Sequence, residues 1–295
     1  MNEGYEKDLI YDVGLHDGED SEFYLRKGFR VVAIEALPAL AQKATERLRG
    51  YLDCGKLVIL NVAVAEKDGP LAFFENPGNS VWGTAYPERA EGNQQLGYGS
   101  IKTTVCGMKF ANILKQYGIP YYLKVDIEGA DLLCLKALKN FESKPKHVSI
   151  ESTKTSWKLL QEEFTLLNTL GYSKFKVVPQ HTMTAQVCPF PAREGRYVDH
   201  HFEAGASGLF GEEAPGEWMD EAEAVRIYRS IFLRYKLLGA HGILRGAIPL
   251  PSHTAETGQQ KPSLSRMVRR FMLAKRFIRR FVPSVGWYDT HAMLS

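Results

Sequence analysis

Between Leu9 and about Val178, short β-branched runs alternate with longer stretches of helical periodicity, and few architectures can bury such a pattern. Strand, helix and strand in turn build a parallel sheet with helices on both faces, because parallel neighbours need a crossover long enough to hold a helix. The runs predict strands over Leu9–Val13, Arg30–Glu35, Leu57–Val62, Tyr121–Val125, His147–Glu151 and Lys174–Val178. Between them the periodicity predicts helices over Ser21–Lys27, Pro38–Leu48, Phe110–Tyr117, Asp131–Leu138 and Ser156–Leu170. Pro38 suits a first helical turn, and Gly171 closes the last of these helices. From Gly69 to Thr104 the rhythm breaks. That stretch is rich in Gly, Asn and Tyr, predicts short strands at Leu71–Glu75 and Ser100–Val105, and reads as a lid or loop layer.

Residues 1–179 therefore read as the core, and the remainder of the chain has a different texture. Residues 180–246 form an appended segment, dense in Gly, Pro and aromatics through "PFPAREGRYVDHHFEAGASGLFGEEAPGEW", then helical from about Asp220 to Leu237. Residues 247–262 read as a polar, Pro-rich linker and 263–295 as a basic tail. In that tail Met267, Phe271, Ala274, Ile278 and Phe281 recur at helical spacing among seven Lys and Arg. Such a helix can dock on its own domain, lie on an anionic membrane or bind nucleic acid, the last being least favoured here.

A hydrophobic fraction of 44% supports one full core, and a net charge of +3 is too small for a general polyanion-binding surface. Cys54, Cys106, Cys134 and Cys188 lack metal or redox spacing and read as reduced core thiols. The acidic start runs directly into a strand, and no apolar run approaches the roughly 18 residues of a membrane span. A cytoplasmic protein is expected, with peripheral contact at the inner membrane surface available through the tail.

The strongest functional signal is "IYDVGLHDGEDSEFYL", a strand that turns through Gly14 and Gly18 into a helix. Glu35 closes the next strand 21 residues after Gly14. A carboxylate there accepts hydrogen bonds from the hydroxyls of an adenosine ribose. Pyrophosphate would need the positive end of the adjoining helix, but Asp17, Glu19, Asp20 and Glu22 crowd that end with negative charge. S-adenosylmethionine has no phosphate and carries an ammonium and a sulfonium, which Asp12 and the turn carbonyls suit. The acidic residues also complement the helix dipole by roughly 0.3–1 kcal/mol each, which requires no ligand. An NAD-dependent oxidoreductase would call for G-x-G-x-x-G at this turn, and Leu15–Asp17 depart from it.

Three blocks, "YDVGLHDGEDSEFYLRKGFRVVAIEALP", "NVAVAEKDG" and above all "YLKVDIEGAD", resemble the FkbM family of S-adenosylmethionine-dependent methyltransferases over roughly Ile10 to Glu151. The K-x-D-x-E-G block is the most specific, and "SGLFGEE" resembles a segment after the sheet in some members. Members often carry Ala-Asn where Leu15 and His16 stand here. The resemblance implies an α/β, class I methyltransferase (Rossmann-like) sheet covered by helices on both faces, acting on a hydroxyl of a sugar, glycan or other small metabolite. By position, Asp12, Gly14 and Gly18 would shape the cofactor turn, Glu35 would hold the ribose, and Asn61 and Ala63 would lie beside the adenine. His16 would either lie over the cofactor or bond a nearby backbone group. Lys124, Asp126 and Glu128 would sit at the acceptor side of the sulfonium, and Ser207, Gly208 and Phe210 would face the acceptor.

Transfer to oxygen needs the acceptor aligned and its proton taken up. Asp126 and Glu128 share one face of a strand end, where they could act as base or, with Glu151 of the next strand, hold Mg²⁺. Alternatively Glu128 caps the helix beginning near Ala130 and Asp126 alone meets the ligand. His200 and His201 are adjacent, so they point apart and suit packing better than one metal. A catalytically inactive module on the same fold is the remaining alternative, since a fold does not establish turnover.

Overall fold

In the computed structural model, residues 4–76, 83–87, 90–91, 99–238 and 286–295 are described. In chain order the strands are β1 (Glu6–Val13), β2 (Arg30–Ile34), β3 (Leu57–Leu60), β4 (Ala63–Val64), β5 (Gly69–Glu75), β6 (Ile101–Met108), β7 (Pro120–Val125), β8 (His147–Glu151), β9 (Tyr172–Pro179) and β10 (Tyr288–Leu294). The helices are α1 (Glu19–Arg26), α2 (Pro38–Arg47), α3 (Arg49–Asp53), α4 (Phe110–Tyr117), α5 (Asp131–Leu138), α6 (Trp157–Thr169) and α7 (Glu221–Leu238).

Seven strands form the main sheet in the order β3-β2-β1-β7-β8-β10-β9. The run Leu9–Val13 is buried throughout, as a central strand covered on both faces must be. Its side chains alternate between two cores. Tyr11 and Val13 join Leu123, Phe164 and Tyr228 on one face, while Ile10 joins Phe23, Tyr24, Tyr122 and Phe210 on the other. Chain order reverses between β1 and β7, so the crevice at their C-terminal ends is the topological switch point where such sheets bind ligands. The predicted lid region supplies a three-stranded sheet, β4-β6-β5, beside that crevice.

The reading of 263–295 as a basic tail needs correction at its end. Tyr288–Leu294 is a strand inserted between β8 and β9, antiparallel to both, so the sheet is not complete at residue 179. The sequence hides it because "YDTHAML" buries Asp289, Thr290 and His291 alongside Tyr288 and Ala292, which removes any apolar alternation. Asp289 and Thr290 find polar partners instead. The Thr290 hydroxyl lies 2.6 Å from Ser152 Oγ and 2.7 Å from the Tyr228 hydroxyl, and Ser152 donates to Glu163 at 2.6 Å. The linker at 247–262 and the basic stretch Met267–Phe281 lie outside the described residues.

The appended segment is bound into the core. Lys27 and Glu213 form an ion pair at 2.8 Å with both side chains fully buried, and Glu213 also accepts from the backbone N–H of Arg193 and Glu194. All four cysteines are free, but Cys54 and Cys106 are exposed and only Cys134 and Cys188 are core thiols. Among the described residues no helix is long and apolar enough to cross a membrane.

Candidate active site

At the switch point lies a cavity of about 650 Å³. Gly14, His16, Glu35, Ala63, Lys124, Asp126, Glu128 and Glu151 line it, as the sequence places them. Asp12, Gly18, Asn61, Ser207, Gly208 and Phe210 lie behind its wall, and each is explained by what it touches.

Gly14 has φ 94°, and a Cβ there would collide with the Asp126 carbonyl, so only glycine lets β1 turn past the end of β7. Gly18 caps α1 in the left-handed region, and a Cβ there would stand 2.9 Å from Leu48 Cδ1. Its constraint is therefore packing against α2 and Leu48 just beyond it, not ligand approach. His16 is also left-handed, at φ 52°. Asn is among the residues most tolerant of that region, and His shares some of the tolerance, which accounts physically for the His16 departure from Ala-Asn. The His16 and Leu37 backbone N–H groups each donate to one oxygen of Glu35 at 2.9 Å. They fix the carboxylate in the crevice while its remaining lone pairs stay available to ribose hydroxyls. Asn61 donates to the Glu35 and Ala36 carbonyls at 2.8 and 3.2 Å, so it fastens the loop that carries Glu35.

Asp12 and Lys124 form the foundation of the turn. Lys124 Nζ donates to Asp12 at 2.9 Å and to the Gly14 carbonyl at 2.9 Å, and it lies 3.3 Å from Asp20. Ser21 donates to the other Asp12 oxygen at 2.7 Å. Burial works against the Lys124 ammonium, yet Asp12, Asp20 and Asp126 outweigh it and hold its pKa well above the usual lysine value. Asp20 also accepts from the Ser207 N–H, and Glu19 accepts from the Glu203 N–H at 2.6 Å. The acidic start of α1 thus fastens the appended segment to the turn.

That fastening corrects the acceptor assignment of Ser207, Gly208 and Phe210. Phe210 is fully buried and stacks on Tyr122 with centroids 4.7 Å apart, and Gly208 sits against Gln186 and Met183. The segment reaches the cavity slightly earlier, through Glu203, Ala204, Gly205 and Ala206. Phe202 is core, His200 packs on Phe23 and Phe202, and His201 is exposed.

At the other end of the cavity Asp126 and Glu151 sit on adjacent strands. Burial raises the Asp126 carboxyl against the opposing pull of Lys124, and a hydrogen bond from Glu151 favours its anionic form. Glu151 is raised well above the usual range by burial and by Asp126, Glu128, Asp131 and Asp289. Asp289 of β10, raised to about 8 by burial and by Asp126, extends the cluster. Both carboxyls are thus raised, and they titrate as a pair.

Glu128 does not cap α5. Asp131 accepts from the Ile127 and Gly129 N–H groups at 3.0 and 2.8 Å, while Glu128, at φ 49°, has its carbonyl held by the Thr84 hydroxyl at 2.9 Å. Sequence reasoning missed Asp131, although its place at the helix start was a readable signal. Among the described residues no three His, Cys, Asp or Glu side chains are grouped to hold a metal, so Asp126, Glu128 and Glu151 are not arranged as the Mg²⁺ set that is one of the two readings of these carboxylates.

The cavity wall carries Asp17, Glu19, Asp20, Glu35, Asp126, Glu128, Glu151 and Glu203 against a single lysine, Lys124, whose charge is already engaged. Such a wall repels phosphate and fits a cation. Across residues 12–174, more than half of the chain, the sequence matches the Methyltransferase FkbM domain. The protein belongs to the FkbM methyltransferase family. It is an S-adenosylmethionine-dependent methyltransferase, and its crevice fits that cofactor: the Glu35 carboxylate and the glycine turn line it, and its acidic wall suits a sulfonium and an ammonium. No curated protein matches the sequence. Solved structures with partial likeness to this FkbM chain include a precorrin-6y C5,15-methyltransferase from Geobacter metallireducens, at 12% identity and a TM-score of 0.34 over 59% of this chain and 68% of that one. Another is a precorrin 8W decarboxylase from Methanobacterium thermoautotrophicum, at 16% identity and a TM-score of 0.31 over 60% and 70%.

Proposed function

We propose that this methyltransferase acts on oxygen, methylating a hydroxyl of a sugar, glycan or other small metabolite, with Asp126 as the base. The Asp126–Glu151 pair at the acceptor end of the cavity carries this reading. Bound S-adenosylmethionine supplies an electrophilic methyl group and a neutral thioether as leaving group. Glu35 orients the ribose, and the Asp12–Lys124–Asp20 foundation fixes the turn, so the reacting atoms meet aligned. As the acceptor oxygen forms its bond to the methyl carbon and the carbon–sulfur bond breaks, the hydroxyl proton passes to Asp126. Raised basicity brings this carboxylate closer to a hydroxyl than an ordinary exposed aspartate is.

Asp126→Asn tests the assignment. Transfer of labelled methyl to acceptors in cell extract should fall by about 10²–10⁴-fold, the usual contribution of a general base. Calorimetric affinity for S-adenosylmethionine should stay within a few-fold of the parent. Retained transfer would remove Asp126 as base.

A further inference from the structure

β10 does more than complete the sheet. Because it runs antiparallel, its N-terminal end meets the C-terminal ends of β8 and β9, and this sets Gly286 and Trp287 in the cavity wall beside Glu151 and Gln180. Trp287 is 41% exposed although it adjoins β10, a strand paired on both sides within the sheet. It is nevertheless firmly held. Its carbonyl accepts from the Gln180 N–H at 3.0 Å, and Lys154 Nζ lies 3.1 Å from the centre of its ring while donating to the Gly286 carbonyl at 3.1 Å. The same ammonium lies 5.4 Å from the Tyr235 ring of α7, so Lys154 is clasped between two aromatics.

We infer that Trp287 is the stacking platform for the acceptor, that the acceptor offers it a neutral ring with an apolar C–H face, as saccharides do, and that Lys154 is the positioning residue that holds the indole. This inference rests on the hydroxyl reading of the site. Three observations select the ligand class. A rigid aromatic plate beside the carboxyl groups of Glu128 and Glu151 pairs an apolar surface with hydrogen-bonding partners for hydroxyls, which is what a polyol ring needs. A cation already on the indole draws π density towards itself, which disfavours a second cation on the ring and so disfavours an amine acceptor. The surrounding acidic wall disfavours phosphorylated or uronic acceptors.

The test uses the full chain saturated with S-adenosylhomocysteine and three neutral probes at millimolar concentration, the methyl glycosides of glucose, galactose and rhamnose. Saturation-transfer NMR should show ring C–H protons of at least one probe in contact with the protein. Trp287→Ala should weaken that binding about tenfold, the loss of one stacking contact, while Trp287→Phe keeps most of it. S-adenosylhomocysteine affinity, unchanged in both variants, shows that the fold survives. Lys154→Met should weaken probe binding by less than Trp287→Ala does. Probe binding unaltered by Trp287→Ala overturns the platform, and no contact from any of the three probes overturns the saccharide class. Labelled methyl recovered on nitrogen from cell extract would defeat the hydroxyl reading itself, whereas methyl on oxygen with an indifferent Trp287 would defeat this inference alone.

Discussion

Two clusters of acids stand side by side at the ends of β1, β7 and β8; burial raises Asp12 in one and Asp126 in the other, but the clusters differ in the partner within reach. Under the cofactor turn, Asp12 and Asp20 close on Lys124, and the set is an internally compensated brace. At the acceptor end, Asp126, Glu151 and Asp289 face chiefly one another, and burial raises all three. The residue types are the same in both places. A cation at hydrogen-bond distance makes the first cluster structural, and the weaker compensation of the second gives it a proton to exchange.

Removing the cation breaks the contrast most severely. Lys124→Met leaves Asp12, which is fully buried, without its ion pair and should cost about 3–5 kcal/mol in urea unfolding. A loss below about 1 kcal/mol would show that the brace carries little. On the other side, Asp289→Asn should stabilise the protein. The Asp289 pKa is raised in the folded state to about 8, so its contribution is fully present below the unfolded value near 4 and is lost as pH rises from there to about 8. Asn keeps the oxygen that accepts from Gln180 Nε2 and removes that loss, so stability at pH 7.5 should rise by roughly 1–3 kcal/mol, with no gain at pH 4. The smallest effect is a displaced pH profile. The acid limb of kcat/KM should lie above the ordinary carboxylate value of about 4, because the free enzyme must release a proton from the raised Asp126–Glu151 pair. A limb at the ordinary value would show that the raised pair does not govern the rate.

Much of the scaffold was legible because it rests on local patterns. Phe110–Tyr117, Asp131–Leu138 and His147–Glu151 fall where periodicity predicts them, residue for residue. Gly14, Glu35, Asp126 and Glu151 reach the cavity as their places at strand ends imply. Asn61 and Gly18 were found as members of the site region, yet they act on the loop and on α2, a distinction that spacing does not express. The misplacement of Ser207, Gly208 and Phe210 has a similar origin. A glycine-rich aromatic segment looks the same in sequence whether its face meets a cavity or the Tyr122 ring.

The sequence alone determined a parallel sheet with covered faces, an acidic glycine turn and a carboxylate at the end of the second strand, since each arises from residue type at fixed local spacing. Tertiary structure decided which acids share a proton and which share a lysine, because ionisation depends on distances across strands that are far apart in the chain. It also decided that the last residues return to the sheet between β8 and β9: Asp289, Thr290 and His291 are buried there, and the partners of Asp289 and Thr290, Gln180, Ser152 and Tyr228, lie more than 60 residues away in sequence.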